Sequence, residues 1–299
     1  MREFMKHLVA ILSIAVTMFL PFPIHAASGT NNDLPSRIEL LSFSSLWIPD
    51  QQFLTGNEQG REVTLTGELS LPQRQGKVPL VILMHGSTGI SAYIPYWVRH
   101  LNEIGVATFV IDGLSGRGLT EVGTNQAVLG RLNFIVDIFR SLAVLAKHPR
   151  IDPDRIAVMG FSRGGQASLF SAMKRFDKLW NKSGTSFAAY IAFYPDCSTT
   201  YKNDTEIAHK PIRIFHGTAD NYDPIEPCRS YVSRLKQAGH NDVTLTEYPN
   251  APHNFDNPLG AIPAAPGKGH QSVRDCAIRE GADGVLINAE TGTPTPSHS

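Results

Sequence analysis

The sequence has no excess of charge of either sign, since its 299 residues contain 27 Lys and Arg against 27 Asp and Glu. It has no run of basic residues and no nucleic-acid-binding motif, so nothing in it predicts binding to a phosphate backbone. With 42% hydrophobic and 18% charged residues, the composition is that of a globular protein. A small neutral or amphipathic ligand fits this balance better than a polyanion does.

Long apolar runs are scarce, and one that stands out lies at the N-terminus. Residues 8–20 are mainly apolar, follow Arg2 and Lys6, and are succeeded by small residues at Ala26 and Ala27. These thirteen residues are fewer than the roughly 20 that cross a hydrocarbon core. The layout therefore predicts a signal peptide over residues 1–26, cleaved after Ala26, and no stable membrane anchor. The mature protein is expected to be periplasmic or secreted.

Cysteine is rare, with only Cys197, Cys228 and Cys276 in the chain. No two of them stand at Cys-x-x-Cys spacing or beside paired histidines, so no zinc site is predicted. An odd count in an oxidising compartment leaves at least one thiol without an internal partner. One disulfide and a spare thiol is the simplest interpretation.

From residue 79 the sequence alternates short apolar runs with helical stretches, a pattern typical of strands buried on both faces of a parallel sheet. The predicted strands of this sheet cover residues 80–84, 107–111, 156–159, 189–193, 212–215 and 243–248. Before them come a possible strand at 38–43 and an antiparallel strand or hairpin at 61–71, which suits a sheet edge. The predicted helices lie near residues 93–104, 124–147, 164–176 and 228–238. We therefore expect one doubly wound α/β domain over residues 27–256, with a mostly parallel sheet and helices on both faces, and an irregular tail over 257–299.

A nucleophile motif follows one of these strands. The segment Gly160-Phe161-Ser162-Arg163-Gly164 fits G-x-S-x-G and stands between a predicted strand and a helical stretch, which is the context that a nucleophile elbow requires. Such a turn strains the backbone of the serine and leaves room only for small residues two positions before and after it. It also places the hydroxyl at the carboxyl end of the sheet, beside a helix N-terminus. Ser162 is therefore the predicted nucleophile.

A serine hydroxyl needs a base within hydrogen-bond reach and a carboxylate that orients the base. In folds with this motif the acid and the histidine come later in the chain, each on a loop after a later strand. The loop after residues 212–215 offers Asp220, at turn distance behind a glycine, and Asp223, which precedes Pro224. We predict Asp220 as the acid, with Asp223 as the alternative, although Asp223 is more typical of a helix entry. His253 follows the last strand and is the predicted base, the alternative being a solvated loop histidine.

Acyl transfer also needs N–H donors aimed at the developing oxyanion. We predict the backbone N–H groups of Arg163 and of Ser87, the latter in the turn after residues 80–84. His85 is interpreted as a structural residue that holds this turn. Aromatic candidates to line a substrate cleft are Tyr93, Tyr96, Trp97 and Tyr222. For Tyr96 and Trp97, whose spacing is helical, packing is the more typical role.

These segments resemble the dienelactone hydrolase family of the α/β-hydrolase superfamily. The matching pieces, in order, are residues 84–89, 111–113 with Arg117-Gly118, the elbow 160–165, the acid loop 216–224, and 252–256. The resemblance implies the α/β-hydrolase fold and a Ser-His-Asp triad that hydrolyses small-molecule esters or lactones, with no metal or organic cofactor. The enzymes that give the family its name differ from this sequence in two respects that the resemblance implies. They are cytosolic and use a cysteine nucleophile, whereas this chain is predicted to be exported and has Ser at position 162.

Two other functions use the same fold. Peptidases of the prolyl oligopeptidase type share the triad, but they usually carry a gating domain that no segment here is long enough to form. A catalytically silent binding protein is the second alternative, although such proteins tend to lose a triad residue and this sequence keeps all three. In this fold Cys197 and Cys228 flank the acid loop at the carboxyl ends of neighbouring strands, and we therefore predict a disulfide between them.

Overall fold

The protein is described by a computed structural model that covers residues 37–260, 270–272 and 274–295, so the predicted signal peptide lies outside the described residues. The described strands are β1 (Arg37–Trp47), β2 (Arg61–Leu71), β3 (Val78–Met84), β4 (Ala107–Asp112), β5 (Ile151–Phe161), β6 (Ala189–Phe193), β7 (Thr199–Thr200), β8 (Ile212–Gly217), β9 (Val243–Tyr248), β10 (Ile278–Glu280) and β11 (Leu286–Asn288). The main sheet has the order β1-β2-β4-β3-β5-β6-β8-β9. β2 pairs antiparallel with β1 and β4, and the other neighbours are parallel. The predicted α/β architecture is confirmed.

Helices cover both faces of this sheet. They are α1 (Asp50–Thr55), α2 (Tyr93–Glu103), α3 (Asn133–Leu145), α4 (Arg163–Phe170), α5 (Lys174–Trp180) and α6 (Glu226–Gln237). The continuous apolar run of β3 serves two cores, because Leu80 and Ile82 pack in the core that contains α3 whereas Val81 and Leu83 pack in the core that contains α2. This alternation follows from the opposite directions of successive side chains in a strand. None of the described helices is both long and apolar enough to cross a bilayer.

Several predicted elements have different bounds in the structure. β1 runs to Trp47 because it pairs with β2 over eleven residues, and β1 rather than β2 occupies the sheet edge. The helix predicted over residues 124–147 begins only at Asn133, since the preceding residues form a loop with a short 3₁₀ turn at Gln126–Val128. The helix predicted over residues 164–176 is two helices, α4 and α5, separated by an extended Met173.

The tail that the sequence predicts to be irregular contains short regular pieces. Within its described part, β10 and β11 pair with each other and β10 pairs in parallel with β7, which follows β6 in the chain. Glu280 in β10 is buried and accepts hydrogen bonds from Arg175 at 2.8 and 3.0 Å. These contacts give order to residues whose own sequence has no strand or helix periodicity.

The predicted disulfide is confirmed. Cys197 and Cys228 are bonded, with a Cα–Cα distance of 5.0 Å and a separation of 31 residues. The bond joins the loop after β6 to the first turn of α6. Cys276 is the free cysteine and is partly buried.

Candidate active site

The predicted nucleophile lies at a strained turn between β5 and α4. Ser162 has φ 53° and ψ −120°, a conformation that L-residues rarely adopt and that is found mainly where function requires it. A Cβ atom at Gly160 would lie 1.9 Å from the carbonyl oxygen of Gly164, and one at Gly164 would lie 2.2 Å from that of Met84. The turn therefore excludes side chains two positions before and after Ser162, as the motif requires. The N–H of Ser162 donates to the carbonyl oxygen of Phe193 at 2.9 Å, which ties the turn to the end of β6.

The structure brings together the predicted acid and base. His253 Nδ1 donates to Asp220 Oδ2 at 2.7 Å, between the loops that follow β8 and β9. The other carboxylate oxygen, Oδ1, accepts the N–H groups of Tyr222 and Asp223 at 3.0 Å each. Burial by itself raises the pKa of Asp220, but the hydrogen bond and charge of His253 and the backbone donors outweigh it and leave the pKa below its usual value. Asp220 is therefore ionised at neutral pH and fixes the tautomer in which His253 Nε2 is free to accept a proton.

Ser162 and His253 both border the carboxyl end of β6. The ring of Tyr194, the residue after β6, lies 4.6 Å from the ring of His253, while Phe193 holds the Ser162 turn. The described contacts include no hydrogen bond between the Ser162 hydroxyl and His253, so the structure joins the acid to the base but does not join the base to the nucleophile. Catalytic hydrogen bonds are often long in free enzymes and shorten when substrate binds.

The turn after β3 lies against the nucleophile. A Cβ atom at Gly86 would be 3.3 Å from the Cβ of Ser162, so the backbone that precedes Ser87 approaches the elbow directly. The N–H of Gly86 itself donates to the Tyr93 hydroxyl at 3.1 Å. Arg163 is the first residue of α4, where a backbone N–H has no intrahelical acceptor. Ser87 and Arg163 are thus placed in the two segments that flank Ser162, and their role as oxyanion donors remains a prediction.

His85 is a structural residue of this turn. Its Nδ1 donates to the carbonyl oxygen of Gly86 at 2.7 Å, and its Nε2 accepts the N–H of Gly113 at 3.1 Å. Burial lowers the pKa of His85 and outweighs the nearby acceptors and charges that raise it, so the ring is neutral at neutral pH. Both nitrogens are occupied, in agreement with the role interpreted from the sequence.

The side chain of Arg163 has a position that the motif does not predict. Its guanidinium is buried, donates to the carbonyl oxygen of Leu129, and lies 5.6 Å from the ring centroid of Phe134. Burial, with the positive charge of Arg131 nearby, lowers the pKa of Arg163 to about 9. The side chain of Arg163 therefore anchors the loop before α3 to the first turn of α4.

Tyr222 is the aromatic candidate that contacts His253, whereas Tyr93 contacts the turn after β3. Its ring centroid is 4.9 Å from that of His253, and its hydroxyl donates to the carbonyl oxygen of Gln271 at 2.6 Å. The side chain of Gln126 donates to the same hydroxyl at 3.0 Å and to the same carbonyl at 2.7 Å. Trp97 instead packs in the core, with its indole N–H donating to Asp256 at 2.8 Å. Sequence reasoning missed Gln126 and Gln271, since no motif or spacing relates the tail to the acid loop.

Asp223 does not form the helix entry that the sequence favours for it. Helix α6 begins at Glu226 after Ile225, and no side chain caps its first turn. Asp223 is buried instead, with its Oδ2 at 4.0 Å from His253 Nδ1. The loop thus presents two carboxyl groups to the same imidazole nitrogen, and Asp220 is the nearer of them.

Known proteins share this sequence pattern and fold. The profile of the dienelactone hydrolase family matches residues 65–275. Acyl-protein thioesterase 1 of Emericella nidulans is 31% identical over 120 residues, which are 40% of this chain and 49% of that protein. The probable carboxylic ester hydrolase LipM of Mycobacterium tuberculosis is 26% identical over 172 residues, covering 44% of this chain and 40% of that protein. The chain thus spans about half, or less, of the length of these curated relatives.

Solved structures agree on the fold. The crystal structure of a dienelactone hydrolase-like protein from Klebsiella pneumoniae superposes with a TM-score of 0.56 at 17% identity, covering 76% of this chain and 92% of that one. At this level of identity the likeness concerns the fold alone. The fold is accordingly that of the α/β-hydrolases. The family profile extends over most of the described residues and includes the elbow, the acid loop and the histidine loop. The chain therefore belongs to the dienelactone hydrolase family.

Proposed function

We propose that this protein hydrolyses carboxylic esters or lactones of small molecules through a covalent acyl-enzyme formed on Ser162. The observation that carries the proposal is the 2.7 Å hydrogen bond between Asp220 and His253, which lie on consecutive loops at the same sheet edge as the strained Ser162 turn. A hydrogen-bonded acid and base after the last two strands of the sheet, in that chain order, supports acyl transfer in this fold. The relatives named as a thioesterase and an ester hydrolase support the same reaction class.

The proposed reaction has two steps. Ser162 Oγ attacks the substrate carbonyl carbon while His253 Nε2 takes the hydroxyl proton, and the negative charge of Asp220 stabilises the resulting imidazolium. The backbone N–H groups of Ser87 and Arg163 then donate to the oxyanion. Collapse of the tetrahedral intermediate breaks the bond to the leaving alcohol, which receives the proton from His253. Water attacks the acyl-enzyme by the same route and restores the free serine.

Replacement of the nucleophile tests this proposal. With p-nitrophenyl acetate, butyrate and octanoate as substrates, we expect Ser162→Ala to lower kcat by roughly 10³-fold or more and to abolish labelling by a fluorophosphonate. The melting temperature should change little, because the change removes one oxygen. The matched control is Ser233→Ala, which alters an exposed serine on α6. Equal hydrolysis by the wild-type protein and Ser162→Ala would overturn the assignment.

The same assay separates the remaining functions. A lactone, an acyl thioester and a dipeptide p-nitroanilide are added to the ester panel, and preference for the anilide would favour a peptidase of the prolyl oligopeptidase type. A wild-type protein that is folded but neither turns over any substrate nor reacts with the fluorophosphonate would favour a binding protein of the same fold.

Export is part of this proposal. The predicted signal peptide over residues 1–26 would direct the chain to the periplasm or the medium. The disulfide between Cys197 and Cys228 supports an oxidising destination, since such bonds are rare in the cytosol.

A further inference from the structure

The second carboxyl group beside His253 has no part in the triad. Asp223 is 3% exposed, and its Oδ2 lies 4.0 Å from His253 Nδ1. Its backbone N–H donates to Asp220 Oδ1 at 3.0 Å, so the loop turns in a way that holds both carboxyl groups on the same side of the imidazole. At 4.0 Å the contact is electrostatic and not a hydrogen bond.

Titratable groups from four other segments surround Asp223. The charged ones are Asp196 after β6, Arg131 before α3 and Asp220 of its own loop, together with His253 after β9 when it is protonated; Cys276 in the tail and Tyr222 of the same loop are titratable neighbours with raised pKa values and are neutral at neutral pH. Arg131 forms its ion pair with Asp196, whose side chain is 3% exposed, and so the positive charge of Arg131 is already shared. Burial first, and then the charges of Asp196 and Asp220, raise the pKa of Asp223 to about 7, while His253 and Arg131 act in the opposite direction.

The other neighbours of His253 are engaged elsewhere. Asp256 accepts the indole N–H of Trp97 and the hydroxyl of Tyr194, each at 2.8 Å. His216 lies 4.0 Å from Asp220 Oδ2, donates to the carbonyl oxygen of Gly217 at 3.2 Å, and has a pKa lowered by burial, so it is neutral at neutral pH. Tyr194 and Tyr222 contact His253 with their rings. Asp223 is therefore the second source of negative charge at Nδ1.

These contacts have a net effect on the base. Burial lowers the pKa of His253, but the hydrogen bond to Asp220 and the charges of Asp223, Asp220 and Asp256 outweigh burial, so that the pKa lies above its usual value of 6.5. A carboxylate at this distance stabilises an imidazolium and resists its loss of a proton.

We propose that Asp223 is a positioning residue of the site, which acts through His253 by stabilising its imidazolium during proton transfer and by setting the acidic limit of activity. The proposal rests on the proposed serine hydrolase function. Asp223 gives up no proton to substrate and forms no bond in the reaction. Its negative charge stabilises the imidazolium that forms when His253 takes the proton of Ser162. In the free enzyme the same charge keeps His253 protonated, and therefore unable to act as a base, up to a higher pH.

The pH dependence of kcat/KM tests this role. For Asp223→Asn we expect the acidic limb to move to lower pH by about one unit, and the alkaline plateau to fall about 3- to 10-fold, because one unit of imidazolium stabilisation corresponds to a factor of about 10. The matched control is Asp204→Asn, which removes a buried carboxylate that pairs with Arg234 and not with His253. A merely structural role of Asp223 would change the plateau or the melting temperature without moving the limb.

A second measurement does not depend on activity. In ¹⁵N-labelled Ser162→Ala protein, the ring nitrogens of His253 are titrated by NMR with and without Asp223→Asn, and assigned with His253→Gln. A fall of about one unit in the pKa of His253 supports the proposal, and an unchanged pKa overturns it. Should Asp223→Asn not fold, Asp223→Thr removes the same charge with a smaller side chain. Activity that requires Ser162 but keeps its acidic limb in the variant rejects the role of Asp223 alone, whereas activity that survives Ser162→Ala rejects the proposed function itself.

Discussion

A buried carboxyl group with an elevated pKa makes stability depend on pH, and Asp223 provides such a dependence. Its pKa rises from 3.8 to about 7 on folding, so its stabilising contribution is fully present below about pH 4 and is lost as the pH rises through about 7. The free energy of unfolding of the wild-type protein should therefore fall relative to that of Asp223→Asn between pH 4 and 8. The size of this fall depends on the difference between the two pKa values, at about 1.4 kcal/mol per unit. Urea unfolding of both proteins across this range measures it, and a constant difference would contradict the assignment.

At the scale of single residues, the sequence predicts where a residue lies in the fold better than it predicts which side chains surround that residue. The placement of Ser162, Asp220 and His253 follows from one motif and from the order of strands, because loops after parallel strands meet at one sheet edge. The same reasoning gave Asp223 the wrong environment. Its burial depends on Asp196 and Arg131, which belong to loops far away in the chain, and no local pattern specifies which loops will face each other.

At the scale of elements, one buried ion pair connects three parts of the fold. Arg117, in the loop after β4, forms two 2.8 Å hydrogen bonds with Asp137 of α3, and it also donates to the carbonyl oxygen of Leu46 in β1 at 2.7 Å. Both charged side chains are fully buried. Removal of one partner leaves the other charge buried without compensation, and that is more costly than loss of an exposed pair.

We therefore expect Asp137→Ala to lower the free energy of unfolding by about 3 to 5 kcal/mol. Glu103→Ala, which breaks the exposed pair with Arg99, should cost no more than about 0.5 kcal/mol. Both values can be measured by urea unfolding at one pH. The double variant Arg117→Met/Asp137→Leu should recover part of the loss because it removes both charges. A single Asp137 variant as stable as the wild-type protein would mean that the pair does not hold these elements together.

The boundaries of elements are set by such distant contacts, and this explains where the predictions were wrong. The side chain of Asn133 accepts the N–H of Ile48 at 3.1 Å and donates to the carbonyl oxygen of Ile48 at 2.6 Å, 85 residues away. A Cβ atom at Gly130 would lie 2.8 Å from the carboxylate of Asp50. The apolar periodicity of residues 124–147 does not contain this information, so the predicted helix runs through a loop that is fixed by α1 and by Ile48 between β1 and α1.

At the scale of the whole molecule, the described tail returns to the candidate active site. Gln271 accepts from Tyr222 beside His253, while β10 pairs with β7 in the segment that also carries Cys197. The sequence predicts the disulfide because both cysteines flank the acid loop. It does not predict the path of the tail, since the contacts of Gln271 are made largely by its backbone, which every residue possesses.

The disulfide and the predicted leader make one joint prediction. Expressed in a bacterium with a periplasm, the chain should begin at Ala27 after processing and contain one disulfide, with Cys276 as the thiol that reacts with an alkylating agent. A version that lacks residues 1–26 should remain in the cytosol with all three cysteines reduced. Its free energy of unfolding should be lower by about 3 to 4 kcal/mol, because the 31-residue loop is no longer closed.

Intact mass before and after alkylation, with N-terminal sequencing, measures processing and pairing together. Cys276→Ser is the control, since it should leave the disulfide and the stability unchanged. Oxidation of the version without residues 1–26 in vitro would not substitute for this test, because an added oxidant can join Cys197 and Cys228, which lie 5.0 Å apart at their Cα atoms, in any compartment. An exported chain that keeps residues 1–26 would contradict cleavage after Ala26, and an exported chain with three reactive thiols would contradict the oxidising destination.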